Sequence, residues 1–103
     1  MSAAKTKAQQ LINENGVVVF SKSYCPYCKA SKALLDDLNA TYTALELDLM
    51  DDGAAIQDAL KEISGQRTVP NIYISKKHIG GNSDLQGIGR NELKRTLAAA
   101  GAL

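Results

Sequence analysis

Val17-Val18-Val19-Phe20 is a short apolar run that leads into Cys25-Pro26-Tyr27-Cys28, and these two segments decide the fold. A continuous β-branched run of this length is typical of a central strand that is covered on both faces. Pro26 suits the first position of a helix, because its missing N–H would have no helical partner there. The sequence therefore predicts a strand, a short loop with Cys25 at the N-cap, and a helix that begins at Pro26.

The predicted helix start also gives the two cysteines different chemistry. An N-cap side chain accepts hydrogen bonds from the amides two and three residues on, here those of Tyr27 and Cys28. The helix dipole adds partial positive charge at the same place, and Lys22 and Lys29 are close in sequence. These effects favour the thiolate of Cys25, which is the form that attacks disulfides. Cys28 lies in the same turn, within reach of a disulfide with Cys25, and suits the role of resolving thiol.

Hydrophobic periodicity and turn residues predict the remaining elements. We expect helices from residue 4 to a stop at Asn15-Gly16, from 26 to about 38, between the caps Asp51-Asp52-Gly53 and Ser64-Gly65, briefly around 85–88, and lastly from a cap near Asn91. We expect strands at 17–20, 44–48, 69–74 and 77–79, with Ser75-Lys76 as a hairpin turn. The early strand–helix–strand–helix order predicts a right-handed βαβ unit with a parallel strand pair.

Composition limits the class of protein. The chain has 103 residues, of which 45% are hydrophobic and 22% are charged, which predicts a single globular domain over residues 1–103. The formal net charge of +1 gives no electrostatic reason to expect binding to nucleic acid or to a membrane surface. The first 15 residues lack the apolar core of a secretory signal, and two cysteines are too few for a secreted disulfide scaffold. We therefore expect a cytoplasmic protein.

A cysteine pair two residues apart is also compatible with half of a zinc site. A closed tetrahedral site needs four ligands, and the rest of the chain offers only His78 and acidic residues for the other two. The sequence therefore predicts no metal site, and a Cys-x-x-Cys motif beside a βαβ pattern indicates redox chemistry instead.

Three blocks together carry a family resemblance: Cys25-Pro26-Tyr27-Cys28, Thr68-Val69-Pro70, and Gly80-Gly81-Asn82-Ser83-Asp84. From about Gly16 to its C-terminus the chain resembles a dithiol glutaredoxin. Thioredoxins usually carry Trp-Cys-Gly-Pro-Cys, and this chain has no tryptophan. The resemblance implies an α/β thioredoxin fold, in which a four-stranded mixed sheet of order 2-1-3-4 is flanked by helices.

The resemblance also implies a glutathione site. The Val69–Pro70 bond is expected to be cis, and the backbone of Val69 is expected to pair with the cysteine residue of glutathione. The glycine carboxylate of glutathione is expected to meet cationic or amide donors, and the γ-glutamyl group an anion acceptor beside helix amides. The glutathione-binding residues implied in this way are Lys22, Tyr27, Gln57, Arg67, Thr68, Val69, Pro70, Ser83 and Asp84.

By the same resemblance, the expected activity is glutathione-dependent reduction of protein disulfides and of protein–glutathione mixed disulfides. Cys25 is the expected nucleophile and Cys28 the resolving thiol. Glutathione is a co-substrate, and no tightly bound cofactor is expected. The expected partners are glutathione, glutathionylated or disulfide-bonded proteins and, through glutathione, glutathione reductase, and the protein is expected to be a monomer.

Two alternatives remain open from the sequence. Some glutaredoxins form dimers that share an iron–sulfur cluster through one cysteine per subunit and two glutathiones; Pro26 argues against this, because relatives with Gly or Ser there more often hold clusters. A brown colour after expression would favour this alternative. A thioredoxin-like activity would instead be driven by a flavoprotein reductase without glutathione, which a coupled assay that omits glutathione would detect.

Overall fold

The structure is a computed structural model that describes residues 2–103 of the chain. Its helices and strands are α1 (Ala3–Glu14), β1 (Val17–Ser21), α2 (Pro26–Asp37), β2 (Thr43–Glu46), α3 (Gly53–Ser64), β3 (Asn71–Ile74), β4 (Lys77–Gly80), α4 (Asn82–Gln86) and α5 (Arg90–Ala99). A single 3₁₀ turn, Leu47–Leu49, follows β2. No helix in this described part of the chain is both long enough and apolar enough to cross a membrane.

The four strands form one mixed sheet in the order β2-β1-β3-β4. β1 pairs in parallel with β2 and antiparallel with β3, and β3 pairs antiparallel with β4. The predicted thioredoxin fold and its strand order are confirmed. Ser75 and Lys76 form the predicted hairpin turn, and both have positive φ, as a two-residue turn that matches the strand twist requires.

Every residue of β1 is buried, as expected of a central strand with helices on both faces. Successive side chains of a strand point to opposite faces, and the core is divided accordingly. Val17 and Val19 pack in one cluster with residues of α2, α4 and α5, whereas Val18 and Phe20 pack in a second cluster with residues of α1 and α3. The next residue, Ser21, therefore faces the side of the sheet that α2 covers.

Several boundaries differ from the predictions. β3 begins at Asn71 instead of residue 69, and the short helix α4 spans Asn82–Gln86 instead of 85–88. β2 ends at Glu46, because Leu47 turns into the core within the 3₁₀ turn. Asp52 is the N-cap of α3, but its side chain makes no capping hydrogen bond and instead accepts one from Lys7 Nζ at 2.8 Å. The predicted cap near Asn91 is wrong: the N-cap of α5 is Gly89, whose φ of 90° favours glycine.

Candidate active site

The Cys25 sulfur lies at the start of α2. Cys25 is the N-cap, Pro26 opens the helix, and the Cys28 amide donates a hydrogen bond to Cys25 Sγ at 3.2 Å. Of the two amides expected to face the sulfur, that of Cys28 makes this contact. The loop before the helix is closed by a hydrogen bond from the Cys25 amide to the Lys22 carbonyl at 3.0 Å. The helix start therefore directs a donor at the sulfur, which stabilises negative charge on it.

The two cysteines are free thiols with different environments. Cys25 is partly exposed, whereas Cys28 has no exposed surface (0%). Burial, and after it the neighbouring Cys25, raise the pKa of the Cys28 thiol to about 11. Cys28 is therefore protonated at neutral pH, and Cys25 is the sulfur that an incoming disulfide can reach.

The loop before β3 lies opposite the Cys25 sulfur. The Val69–Pro70 peptide bond is cis, as expected, and the Val69 carbonyl oxygen is 4.0 Å from Cys25 Sγ. Gln66 ties this loop together, because its Nε2 donates to the Thr68 carbonyl at 3.0 Å and to the Pro70 carbonyl at 2.9 Å. Both contacts fix the backbone on either side of Val69.

The segment after β4 forms a third wall of the site, beside the start of α2 and the loop before β3. Gly80 has a φ of 122°, a conformation that favours glycine, and a Cβ at this position would collide with the Asp84 carboxylate. The Gly81 amide donates to Asp84 Oδ2 at 2.9 Å. Asn82 Oδ1 accepts a hydrogen bond from the buried Ser31 hydroxyl at 2.9 Å, which ties the start of α4 to α2. Backbone and short side chains therefore set the shape of this wall.

These walls enclose an open groove of about 300 Å³. Five of the predicted site residues line it, together with Gly81 and Asn82: Tyr27, Thr68, Val69, Pro70 and Ser83. Tyr27 is 68% exposed at the rim. An extended peptide-like molecule in this groove would pass the Val69 backbone with its middle part close to the Cys25 sulfur.

The chain is similar to known proteins over nearly its whole length. A model of the glutaredoxin family matches residues 17–79. The chain belongs to the glutaredoxin family. A glutaredoxin from Ricinus communis is 52% identical over 101 residues, which cover 97% of this chain and 99% of that protein. Glutaredoxin-C2 from Arabidopsis thaliana is 46% identical over 101 residues, 97% of this chain and 91% of that protein.

A solved structure agrees with this assignment. The crystal structure of a buckwheat glutaredoxin–glutathione complex is 50% identical and superposes with a TM-score of 0.94, covering 97% of this chain and 92% of that chain. Family membership makes this glutaredoxin a thiol–disulfide oxidoreductase. Its Cys25 is the partly exposed thiol beside the groove.

Four predicted site residues of this glutaredoxin do not line the groove. Gln57 is only 7% exposed, and its Nε2 donates to the Arg67 carbonyl at 2.8 Å, so it holds the backbone that precedes the Thr68 loop. Arg67 is exposed, and its Nε donates to Asp58 Oδ1 at 2.8 Å. Lys22 is half-buried, and its charge contributes to lowering the pKa of Asp48 after the larger effect of hydrogen bonds from Ser23. Asp84 does not reach the groove lining, and its carboxylate accepts the hydrogen bond from the Gly81 amide.

Gln66 is a site residue that the sequence analysis missed. Its Nε2 bonds two carbonyls, so its Oε1 is an acceptor, and the His78 Nε2 that lies 2.9 Å from Oε1 must carry the proton. The Gln66 carbonyl in turn accepts from the buried Asn71 side chain at 3.0 Å. The only signal in the sequence is that Gln66 lies next to the Arg67-Thr68-Val69-Pro70 block.

No group of three or more His, Cys, Asp or Glu side chains within residues 2–103 is arranged to hold a metal ion. The chemistry that the described residues supply is that of one accessible sulfur, one buried thiol and a groove beside them.

Proposed function

We propose that this protein is a dithiol glutaredoxin that uses glutathione to reduce protein–glutathione mixed disulfides and protein disulfides. The observation that carries the proposal is the position of Cys25 Sγ, which accepts from a helix amide at 3.2 Å and lies 4.0 Å from the Val69 carbonyl at the groove. A disulfide whose glutathione half occupies the groove would present its sulfur to this thiol.

The proposed monothiol route uses Cys25 alone. Its thiolate attacks the glutathione sulfur of a protein–glutathione disulfide, the protein leaves as a thiolate, and glutathione stays on Cys25 as a mixed disulfide. A second glutathione thiolate attacks this glutathione sulfur, which releases glutathione disulfide and restores the Cys25 thiolate. Each step forms one S–S bond and breaks one.

The proposed dithiol route begins when Cys25 attacks a protein disulfide and forms a mixed disulfide with the substrate. The Cys28 thiolate then attacks Cys25 Sγ, and the substrate leaves as a dithiol. Two glutathione molecules reduce the resulting Cys25–Cys28 disulfide. The raised pKa of Cys28 supports this order, because a protonated, buried thiol does not compete for the first attack.

The groove supports glutathione as the molecule that is recognised. Its middle section offers the Val69 backbone, which suits pairing with the peptide-like cysteine residue of glutathione. The amides of Asn82, Ser83 and Asp84, with the Asp84 carboxylate, suit the carboxylate and the ammonium of the γ-glutamyl group. The buckwheat relative was crystallised as a complex with glutathione, which further supports this assignment.

Two serine variants test the proposal. Cys25→Ser should abolish reduction of a small glutathione mixed disulfide, measured with glutathione, glutathione reductase and NADPH. Cys28→Ser should keep that activity and lose reduction of insulin disulfides. If Cys28→Ser is inactive in the first assay while Cys25→Ser is active, the proposed roles of the two cysteines are wrong.

A further inference from the structure

The loop between β1 and α2 is a β-turn that ends at Cys25. The Cys25 amide donates to the Lys22 carbonyl at 3.0 Å, and this hydrogen bond closes the turn. Ser23 and Tyr24 are its two central residues. Cys25 is also the N-cap of α2, and its sulfur accepts from the Cys28 amide at 3.2 Å. The conformation of the β-turn therefore decides where the Cys25 sulfur lies relative to the helix.

Strand pairing between β1 and β2 stops before this β-turn. Ser21, the last residue of β1, is in register with Glu46, the last residue of β2, and its hydroxyl donates to Glu46 Oε1 at 2.7 Å. Beyond Glu46 the chain leaves the sheet in the 3₁₀ turn Leu47–Leu49. The amides of the β-turn therefore need partners other than a neighbouring strand.

Asp48 supplies such a partner from the middle of the 3₁₀ turn. Its Oδ1 accepts from the Ser23 amide at 2.9 Å, and its Oδ2 accepts from the Ser23 hydroxyl. Both oxygens of one carboxylate thus hold one central residue of the β-turn. Two hydrogen bonds to a carboxylate fix the orientation of the bound group as well as its distance.

The 3₁₀ turn that carries Asp48 is itself well packed. Leu47, directly before Asp48, is 3% exposed and belongs to the core cluster that includes residues of α1 and α3. The Met50 amide donates to the Leu47 carbonyl at 3.4 Å, and the Gly53 amide at the start of α3 donates to the Met50 carbonyl at 3.1 Å. Asp48 therefore ties the β-turn before Cys25 to a packed part of the protein.

α2 is held by contacts that do not involve Asp48. The Lys32 ammonium lies 2.8 Å from Glu46 Oε2, and the buried Ser31 hydroxyl donates to Asn82 Oδ1 at 2.9 Å. Loss of the Asp48 contacts should therefore free the β-turn while the helix stays in place. The sulfur would then lose its fixed position beside the helix.

We propose that Asp48 is a positioning residue for the reactive sulfur, because its two hydrogen bonds to Ser23 hold the β-turn in the conformation that places Cys25 Sγ beside the helix. This inference rests on the proposed function, which makes Cys25 the nucleophile. In this role Asp48 neither contacts the substrate nor takes part in the exchange of S–S bonds. A nucleophile that is already ordered needs no search for the attacking geometry, so a mobile β-turn should slow the attack.

Two substitutions of Asp48 separate its hydrogen bonds from its charge. In Asp48→Asn, the amide oxygen can still accept from the Ser23 N–H, and the amide nitrogen can donate to the Ser23 hydroxyl. Asp48→Ala removes both contacts. Because the two variants lose the same charge, the difference between their rates reports the hydrogen bonds alone. Asp48 is exposed, so neither substitution opens a cavity in the core.

Alkylation by iodoacetamide at pH 7 measures the reactivity of the Cys25 sulfur without a disulfide substrate. A Cys28→Ser parent leaves Cys25 as the only thiol, since the chain has two cysteines. We expect Asp48→Asn in this background to react within twofold of the parent. Asp48→Ala should react about tenfold more slowly, which is the effect expected when a thiolate loses one hydrogen-bond donor.

Steady-state kinetics should show the same order of variants. In Asp48→Ala, kcat/KM should fall about tenfold for a small glutathione mixed disulfide and by the same factor for a mixed disulfide of cysteinylglycine. The two factors should agree because the change affects the attacking sulfur and not the recognition of glutathione. Asp48→Asn should restore both values to within twofold of the parent.

Ser23→Ala removes the hydroxyl contact, keeps the charge of Asp48, and remains informative if Asp48→Ala folds poorly. It should slow alkylation about threefold, because the amide contact stays. Asp51→Ala is the matched control, since it removes an exposed carboxylate three residues further along the chain and should react like the parent.

The inference is wrong if Asp48→Ala is alkylated as fast as Asp48→Asn. If Asp48→Ala does not fold, alkylation of Ser23→Ala at the parent rate has the same meaning. The proposed function fails on a different result, namely reduction of the glutathione mixed disulfide by Cys25→Ser. The alkylation rates do not depend on that assay, so the two failures are distinguishable.

Discussion

The two ends of the groove are built differently. At the end formed by residues 80–84, which we call the γ-glutamyl end, a glycine with φ of 122° and an amide-to-carboxylate hydrogen bond of 2.9 Å shape the wall. At the other end, which we call the carboxylate end, the candidates are the long side chains of Lys22, Gln57 and Arg67, none of which lines the groove itself. Two of these already have partners within the protein, since Gln57 bonds a carbonyl and Arg67 pairs with Asp58.

This difference has an energetic consequence. Backbone donors that are already ordered bind a ligand without losing further conformational entropy. Exposed cations gain little from an ion pair in water, and that gain is screened by salt. We therefore expect substitutions at the γ-glutamyl end to weaken glutathione binding more than substitutions at the carboxylate end.

The largest effect should come from Gly80→Ala. Alanine at a φ of 122° is strained, and its Cβ would displace the Asp84 carboxylate. A loss of about 2–3 kcal/mol in binding would raise KM for a small glutathione mixed disulfide about 30- to 150-fold. Gly89→Ala is the control, because Gly89 has a φ of 90° but nothing lies near its Cβ position. If Gly80→Ala and Gly89→Ala have equal KM values, the backbone of the γ-glutamyl end does not contribute to glutathione binding as we expect.

Gln66→Glu should have the next largest effect. The carboxylate has the same shape but cannot donate, so the Thr68 and Pro70 carbonyls lose their shared donor and face a negative charge. We expect KM to rise about tenfold, which corresponds to about 1.4 kcal/mol, with kcat within threefold of wild type.

His78→Asn is the control for Gln66→Glu, because it removes the contact of 2.9 Å to Gln66 Oε1 and a ring contact with Tyr73 but leaves both carbonyl contacts of Gln66 in place. It should change KM less than threefold. A large rise in KM in both variants would show that the position of the loop before β3 depends on its contact with β4 and not on the two carbonyl contacts of Gln66.

The fold was largely predictable, because its signals are local. Local backbone preferences are set by the β-branched run at Val17, the proline after Cys25 and the glycine after Ser64. These preferences do not depend on distant residues. The cap of α5 was missed, since Asn91 is a better capping residue than Gly89 on propensity alone, and the choice depends on how α4 leads into α5.

Apart from the cysteine pair, which the helix start at Pro26 already places, the site was predictable only where the family resemblance names its residues. The contacts of Gln66, and those of Ser21 with Glu46, join side chains to partners that chain folding brings together, and no periodicity in the sequence encodes them. Gln57 illustrates the same limit: the resemblance implies that it is a ligand donor, and this stays a prediction, but no pattern in the sequence indicates the hydrogen bond from its amide to the Arg67 carbonyl.

Asp84→Asn should weaken binding by a smaller amount than Gln66→Glu. The amide oxygen can still accept from the Gly81 N–H, so the wall keeps its shape while the negative charge is lost. We expect KM for the glutathione mixed disulfide to rise about fivefold, or about 1 kcal/mol.

A truncated substrate provides the control for Asp84→Asn. A mixed disulfide of cysteinylglycine lacks the γ-glutamyl group, so its KM should be the same in Asp84→Asn and wild type. If both substrates lose affinity equally, the Asp84 charge acts on the fold of the wall and not on the γ-glutamyl ammonium.

The smallest effect should come from Arg67→Gln at the carboxylate end. The Arg67 side chain is half exposed and already pairs with Asp58 at 2.8 Å, so its attraction for a ligand carboxylate is shared and screened. We expect KM to rise at most about threefold at low salt and to match wild type at high salt. Asp58→Asn, which frees the guanidinium, should lower KM slightly under the same conditions. A rise of tenfold or more in Arg67→Gln that persists in high salt would reverse the order of the two ends, because it would mean that Arg67 releases Asp58 and binds the ligand in a desolvated pair.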